Sequence, residues 1–154
     1  MGVQTAHQIS VRQMNGHDQP LLEEMYDSYT PLGGTMGLPP ADPILRSYWI
    51  ENLGRGINLI ADIGGKLVGH CVLLPTGGAA EMIVYVHQDF RREGVATALS
   101  KAAIEEAHNA GFSYVWLLVS KTNFEAQHFL RNLRFRVAWQ DLHEMQFLRP
   151  TAAA

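Results

Sequence analysis

With 154 residues, 47% of them apolar and 18% charged, the chain has the size and composition of one soluble domain around a single core, which excludes a disordered or fibrous protein. A formal net charge of −3 excludes a global attraction to nucleic acid or anionic lipid, so any basic site must be local. Cys71 is the only cysteine, no apolar run has signal-peptide or membrane-spanning length, and the histidines lack HxH, HExxH or CxxC company; the expectation is a cytoplasmic protein without disulfide or metal.

Residues 8–12 alternate polar and apolar, with Ile9 and Val11 on one face, and predict a half-buried strand. Asp18 is placed to cap a helix carrying Leu21, Leu22, Met25 and Tyr29 at helical spacing. Residues 30–41, TPLGGTMGLPPA, are too rich in Gly and Pro for regular structure and long for a connection, which makes them a candidate binding loop. Asp42-Pro43 starts a second helix with Leu45, Tyr48, Trp49 and Leu53 inward and Gly54 as its stop. Residues 57–62 and 66–74 flank the Gly64-Gly65 turn as a hairpin, and Gly77-Gly78 precedes a strand over residues 81–86.

A helix over residues 94–110, ended by Gly111, turns Val95, Leu99, Ala102, Ala103 and Ala107 to the core. YVWLLV, residues 114–119, is apolar throughout, as a strand covered on both faces would be. Residues 123–133 predict another amphipathic helix, FRVAWQ and HEMQFL a terminal hairpin, and residues 151–154 a frayed tail. The order β-α-α-β-β-β-α-β-α-β-β, with βαβα alternation in the second half, predicts a single α+β domain over residues 1–150 whose twisted mixed sheet carries helices on both faces.

The segment EMIVYVHQDFRREGVATALSKAAIEEA, residues 81–107, points to chemistry. A buried strand runs into a short basic loop, and Gly94 opens a helix whose first N–H groups have no intrahelical acceptor and lie at the positive end of the macrodipole. Gly94 and Ala96 let an anion approach the backbone, and Arg91 and Arg92 add charge-assisted contacts, an arrangement matched to a diphosphate. An isolated RxxGxA reads first as a βα turn with two solvated arginines, and the surroundings decide. GxxxxGK[ST] is absent, and so is GxGxxG after the first strand, which excludes a P-loop and a Rossmann site.

Arg91-Arg92-Glu93-Gly94-Val95-Ala96 resembles the Q/R-x-x-G-x-G/A signature of GNAT N-acetyltransferases, and YVHQDFRREGVATAL is similar to their strand-loop-helix. Asn123, Ala126 and Phe135 stand where the family's N-x-x-A…G-F helix and next strand place them, so the resemblance covers roughly the second half of the chain. It implies a GNAT-like acyl-CoA N-acyltransferase fold and transfer of an acetyl group from acetyl-CoA to a primary amine. It implies further that the strand before the loop is splayed from its neighbour, that the main chain of Val84, Tyr85 and Val86 pairs with pantetheine, and that Arg91, with the amides of Arg92, Glu93, Gly94, Val95, Ala96 and Thr97, holds the pyrophosphate. Asn123 is implied to bond the pantetheine arm. Dimers are common in the family, so a homodimer is one expected assembly.

The family's tyrosine acid corresponds here to Leu130, the glutamate that some members keep corresponds to Leu118, and Arg134 replaces the usual glycine before Phe135. Glu81 is the best remaining base, because partial burial would raise its pKa; the competing reading is a solvated strand start. Tyr85 shares the face of Glu81, with a core role as its alternative, and Ser120 and Lys121 stand where they could face the cleft mouth. His70 and Cys71 are strand neighbours pointing to opposite faces, which excludes a nucleophile–base pair. His87 reads as an exposed loop histidine or a lining of the cofactor's way in, and His128 and His143 as structural. Tyr26, Tyr29, Met36, Leu38 and Trp49, with Glu23, Glu24 and Asp27, mark the region expected to read the acceptor, a small-molecule amine or a peptide lysine. The competing functions are another acyl-CoA or a hydroxyl acceptor, and a CoA-binding sensor or silent regulatory module.

Overall fold

The computed structural model describes residues 8–33 and 37–152. The chain runs β1 (Ile9–Gln13), α1 (Gln19–Asp27), α2 (Pro43–Leu53), β2 (Ile57–Ile63), β3 (Lys66–Thr76), β4 (Ala79–Val86), a 3₁₀ turn (Gln88–Phe90), α3 (Val95–Asn109), β5 (Tyr114–Ser120), α4 (Phe124–Asn132), β6 (Arg136–Gln140) and β7 (Glu144–Pro150). This is the order of strands and helices expected from the sequence. Met36, one of the expected acceptor-side residues, lies outside the described residues.

Among the described residues, a single seven-stranded sheet follows the order β1-β2-β3-β4-β5-β7-β6. Every neighbouring pair is antiparallel except β4 and β5, which are joined through α3 and run parallel. The alternation of strands and helices therefore predicts β4 and β5 correctly but not β6, because β7 folds back between β5 and β6. One core lies under α3 and α4, with Cys71, Met82, Leu99, Val115, Leu130 and Phe147 at its centre; the other lies under α1 and α2 around Leu22, Tyr26, Ile50, Ile60 and Tyr85. Gly69 sets how closely α3 can lie on β3: a Cβ there would come within 2.8 Å of both Val95 Cγ1 and Leu99 Cδ1.

Several local expectations give way to specific partners. Asp18 precedes α1 but its side chain caps nothing. Its carboxylate takes both arms of the Arg12 guanidinium at 2.7 Å and the Asn15 amide at 2.8 Å, and Arg12 holds the carboxyl down at about 2. Leu21 is exposed, the inward face of α1 being Leu22, Met25 and Tyr26. On α2, Leu45 and Tyr48 are also exposed, and the helix buries Arg46, Ile50 and Leu53 instead. Arg46 turns inward because its guanidinium donates to Pro40 O and Ala41 O, each at 3.2 Å, and pairs with Asp27, closing the far end of the 30–41 loop.

β5 is covered on one face only: Val115 and Val119 are buried under α3 and α4, whereas Tyr114 and Leu118 are exposed. Thr151 is not frayed. Its hydroxyl donates to Phe112 O at 2.6 Å and its amide to Ser113 O at 3.1 Å, tying the chain's last strand to the α3–β5 turn.

Candidate functional site: a cleft between β4 and β5

β4 and β5 pair only at Ala80 with Val115 and at Glu81 with Trp116; beyond that rung they separate. The amide of His87 donates to Val68 O across β3 at 2.8 Å, which fixes the parity of β4. Main-chain groups of Glu81, Ile83 and Tyr85 face β3, and those of Met82, Val84 and Val86 face the gap. The main chain of Tyr85 is therefore already paired inside the sheet; the Met82 amide closes the Glu81–Trp116 rung, and the free edge runs from the Met82 carbonyl through Val84 to Val86. A one-residue register decides this, and the motif does not carry that information.

The gap opens into a cleft of ≈ 470 Å³. Met82, Val84 and Val86 form one wall, Leu117 of β5 and Ala126, Phe129 and Leu130 of α4 the other, and Arg91, Arg92 and the first turn of α3 the outer end. Sequence reasoning did not single out Met82, Leu117, Ala126, Phe129 or Leu130 as lining, although the even spacing on β4 and the i, i+3, i+4 spacing on α4 mark them.

At the outer end the backbone is shaped for an anion. Arg92 and Gly94 both have left-handed φ, 65° and 86°, and Gly94 is the N-cap of α3 without any side-chain cap. The first intrahelical bond is from Ala98 N to Gly94 O, at 3.0 Å. Among the described residues, the amides of residues 92–97 therefore have no protein acceptor and point from the start of a fifteen-residue helix. Glu93 is exposed and its side chain does not line the cleft. Arg91 donates from Nε to Val86 O at 3.2 Å and from Nη2 to Thr30 O at 2.8 Å, so its guanidinium spans the cleft's end and the start of the 30–41 loop. Asn123 lines the cleft; its Oδ1 accepts from Ala126 N at 3.1 Å, leaving Nδ2 available.

The opposite face of the sheet carries Glu81 and Tyr85. Glu81 is half-buried, and burial raises its carboxyl above the usual glutamate range. Tyr85 packs edge-on against Tyr26 and Trp49, with centroids at 5.9 and 5.5 Å, and donates from its hydroxyl to Gly37 O at 2.5 Å. Asn58 donates from Nδ2 to Leu53 O at 2.8 Å, which turns Oδ1 to His70 Nε2 at 2.7 Å. His70 Nε2 must then carry the proton, and Nδ1 accepts from the Tyr26 hydroxyl at 2.7 Å. Burial pulls His70 down to about 3, so it is neutral. His70 and Cys71 point to opposite faces, into separate cores.

His87 is buried, contrary to the expectation of an exposed loop histidine: its ring is held by Ser28 Oγ at 2.9 Å. His128 and His143 are exposed. Leu130 is buried in the cleft wall, and Leu118 lies exposed on the other face of β5. Ser120 bonds Thr122 Oγ1 at 2.9 Å.

A splayed parallel strand pair, opening onto a helix start with unsatisfied amides, defines a protein that takes an extended ligand with an anionic end. The profile of the Acetyltransferase (GNAT) family matches residues 21–135, and the chain belongs to that family. Solved structures share the fold at low identity. The ribosomal-protein-alanine N-acetyltransferase of Brucella melitensis is 20% identical with a TM-score of 0.74, over 92% of this chain and 99% of that one. yncA of Salmonella typhimurium, solved with its cofactor acetyl-CoA, is 18% identical with a TM-score of 0.74, over 95% of each chain. Mutant forms of the spermidine/spermine N-acetyltransferase SpeG of Vibrio cholerae are 12% identical with a TM-score of 0.73, over 94% of each chain.

Proposed function

We propose that the chain binds acetyl-CoA in the β4–β5 cleft and transfers the acetyl group directly to a primary amine in a ternary complex. The observation that carries this reading is the combination of a free strand edge from the Met82 carbonyl through Val84 to Val86 with the unsatisfied amides of residues 92–97. The pantetheine amides suit the first and the pyrophosphate suits the second. Arg92, Nη1 of Arg91 and Nδ2 of Asn123 supply further donors around the same cleft.

In the reaction the amine nitrogen attacks the thioester carbonyl, the C–S bond breaks, and a proton leaves the nitrogen. Glu81 stands at the rung where the strands part and takes that proton, directly or through water; its raised pKa suits a base. Leu130 places no acid beside the thiol, so the departing thiolate takes its proton from solvent. This is tolerable because a thiol ionises only about 1–2 units above neutral pH. The acceptor meets the face formed by Glu81, Tyr85 and residues 30–33 and 37–41. The neighbours act on different amines, a ribosomal-protein alanine and a polyamine. A primary amine is the chemistry they share.

A silent CoA-binding module is the second reading, favoured by Leu130 and Leu118 at the positions where the resemblance places tyrosine and glutamate. Release of the CoA thiol, followed with a thiol reagent across spermidine, lysine peptides and an alanine-initiated peptide, separates the two. Cys71 is buried and its thiol is pushed up to about 12, so the reagent reads only released CoA. Turnover with an amine supports the transferase. Binding of acetyl-CoA without turnover supports the module, and no binding overturns both.

A further inference from the structure

The start of the 30–41 loop is fastened to the segment after β4 by Arg91 at the cleft's outer end and by two side chains, His87 and Gln88, that neither the cleft walls nor the proton transfer requires. Gln88 donates from Nε2 to Ser28 O at 2.5 Å and accepts at Oε1 from Thr30 N at 2.9 Å, so one side-chain amide pairs with main chain as a neighbouring strand would. His87 Nδ1 accepts from Asp89 N at 3.2 Å, which leaves Nε2 to donate to Ser28 Oγ at 2.9 Å. Arg91 joins Thr30 O to Val86 O, the outermost carbonyl of the cleft's free edge. At the loop's other side, Tyr85 holds Gly37 O.

We infer that this staple makes the acceptor side respond to occupancy of the cofactor cleft, with Gln88 as its positioning residue. The inference rests on the proposed function. The cofactor loop is the stretch whose amides lack protein acceptors, so it has the most order to gain from an anion. Arg91 uses Nε and Nη2 on the two carbonyls and keeps Nη1 for a phosphate, so it meets the ligand without releasing Thr30. An arm lying along β4 also removes water from the Arg91–Val86 contact and strengthens it. Residues 28–30, hung on that loop, then lose the states in which they peel away. By linkage, an acceptor that orders the same residues tightens the cofactor by the same factor.

Amide hydrogen exchange on the full chain, with and without saturating coenzyme A, tests this. Thr30 is the reporter in the wild type and in Gln88→Glu, which keeps its acceptor, and Tyr29 and Gly33, whose amides bond Tyr26 O and Pro39 O, report in Gln88→Ala. Coenzyme A is expected to slow exchange over residues 28–33 by about fivefold or more. Gln88→Ala, and the isosteric Gln88→Glu, which loses the donor to Ser28 O, should abolish the slowing while the protein remains folded and still saturates with coenzyme A. A purely structural staple would instead speed exchange equally with and without the ligand, and that result overturns the inference. So does undiminished slowing in both variants, or no slowing in the wild type with coenzyme A bound. Absence of any calorimetric binding overturns the underlying functional reading, and the inference with it.

Discussion

Glu81 of β4 faces Trp116 of β5 across the last rung that joins the two strands, so the carboxylate raised by burial stands where the sheet opens. On the proposed function, a base at the vertex of the cleft would act from the face that carries Tyr85, while the cleft itself is lined from the α3 and α4 side. Glu81→Gln is therefore expected to lower kcat by about 10²-fold or more with the coenzyme A Kd unchanged. A base works only when deprotonated, so wild-type kcat should fall as pH drops through a pKa above the usual glutamate value, and the variant should lack that limb. Steady-state rates against pH check both; a wild-type rate in the variant at neutral pH removes Glu81 as the base.

Gly94 holds φ 86° in open surroundings, the nearest atom to an added Cβ being Ile9 Cδ1 at 4.0 Å. Gly94→Val should abolish measurable coenzyme A binding, because the branched side chain both strains the left-handed turn and stands beside the free amides. The fold should survive with a loss of about 1–2 kcal/mol. Calorimetric titration beside a urea melt checks the split; a folded variant with unchanged affinity contradicts it.

Arg134 sits at φ 67° just past α4, where Phe135 N bonds back to Leu130 O at 3.0 Å. This is the left-handed C′ position that glycine occupies at lowest cost, and glycine is the residue the family resemblance places there. Arg134→Gly should raise stability by about 0.5–1 kcal/mol without changing cofactor affinity, as read from denaturant melts.

His70 is held neutral between Tyr26 and Asn58, at about 3 against an ordinary value of 6.5. The folded state refuses a proton that the unfolded chain accepts, so this contribution is full above pH 6.5 and is lost as pH falls toward 3. Between pH 7 and pH 5 the loss should be about 2 kcal/mol. His70→Phe, less stable at neutral pH because it strands two polar partners, should show a flatter profile over that interval in urea melts.

The strand-loop-helix from β4 to α3 was legible because its signal is local: an apolar strand, a basic turn, and a glycine where the helix must start. Element order was legible from periodicity for the same reason. What escaped depends on distant partners. Arg46 is buried because Asp27 and the carbonyls of Pro40 and Ala41 receive it, which turns the Leu45 and Tyr48 face of α2 outward. β5 looked doubly covered because exposed Leu118 and Tyr114 are apolar too, and composition does not separate an open face from a buried one. His87 and Gln88 carry no sequence signal, since their partners at Ser28 and Thr30 are some sixty positions away.

The most direct measurement is the ¹H–¹⁵N spectrum of the chain titrated with coenzyme A and, separately, with inorganic pyrophosphate. Coenzyme A is expected to shift the amides of residues 93–97 together with those of Val84 and Val86, leaving Tyr85 nearly still, and pyrophosphate is expected to shift only the first group. Saturation by coenzyme A with neither group moving, or with the changes centred on β6 and β7, would contradict the cleft as the cofactor site.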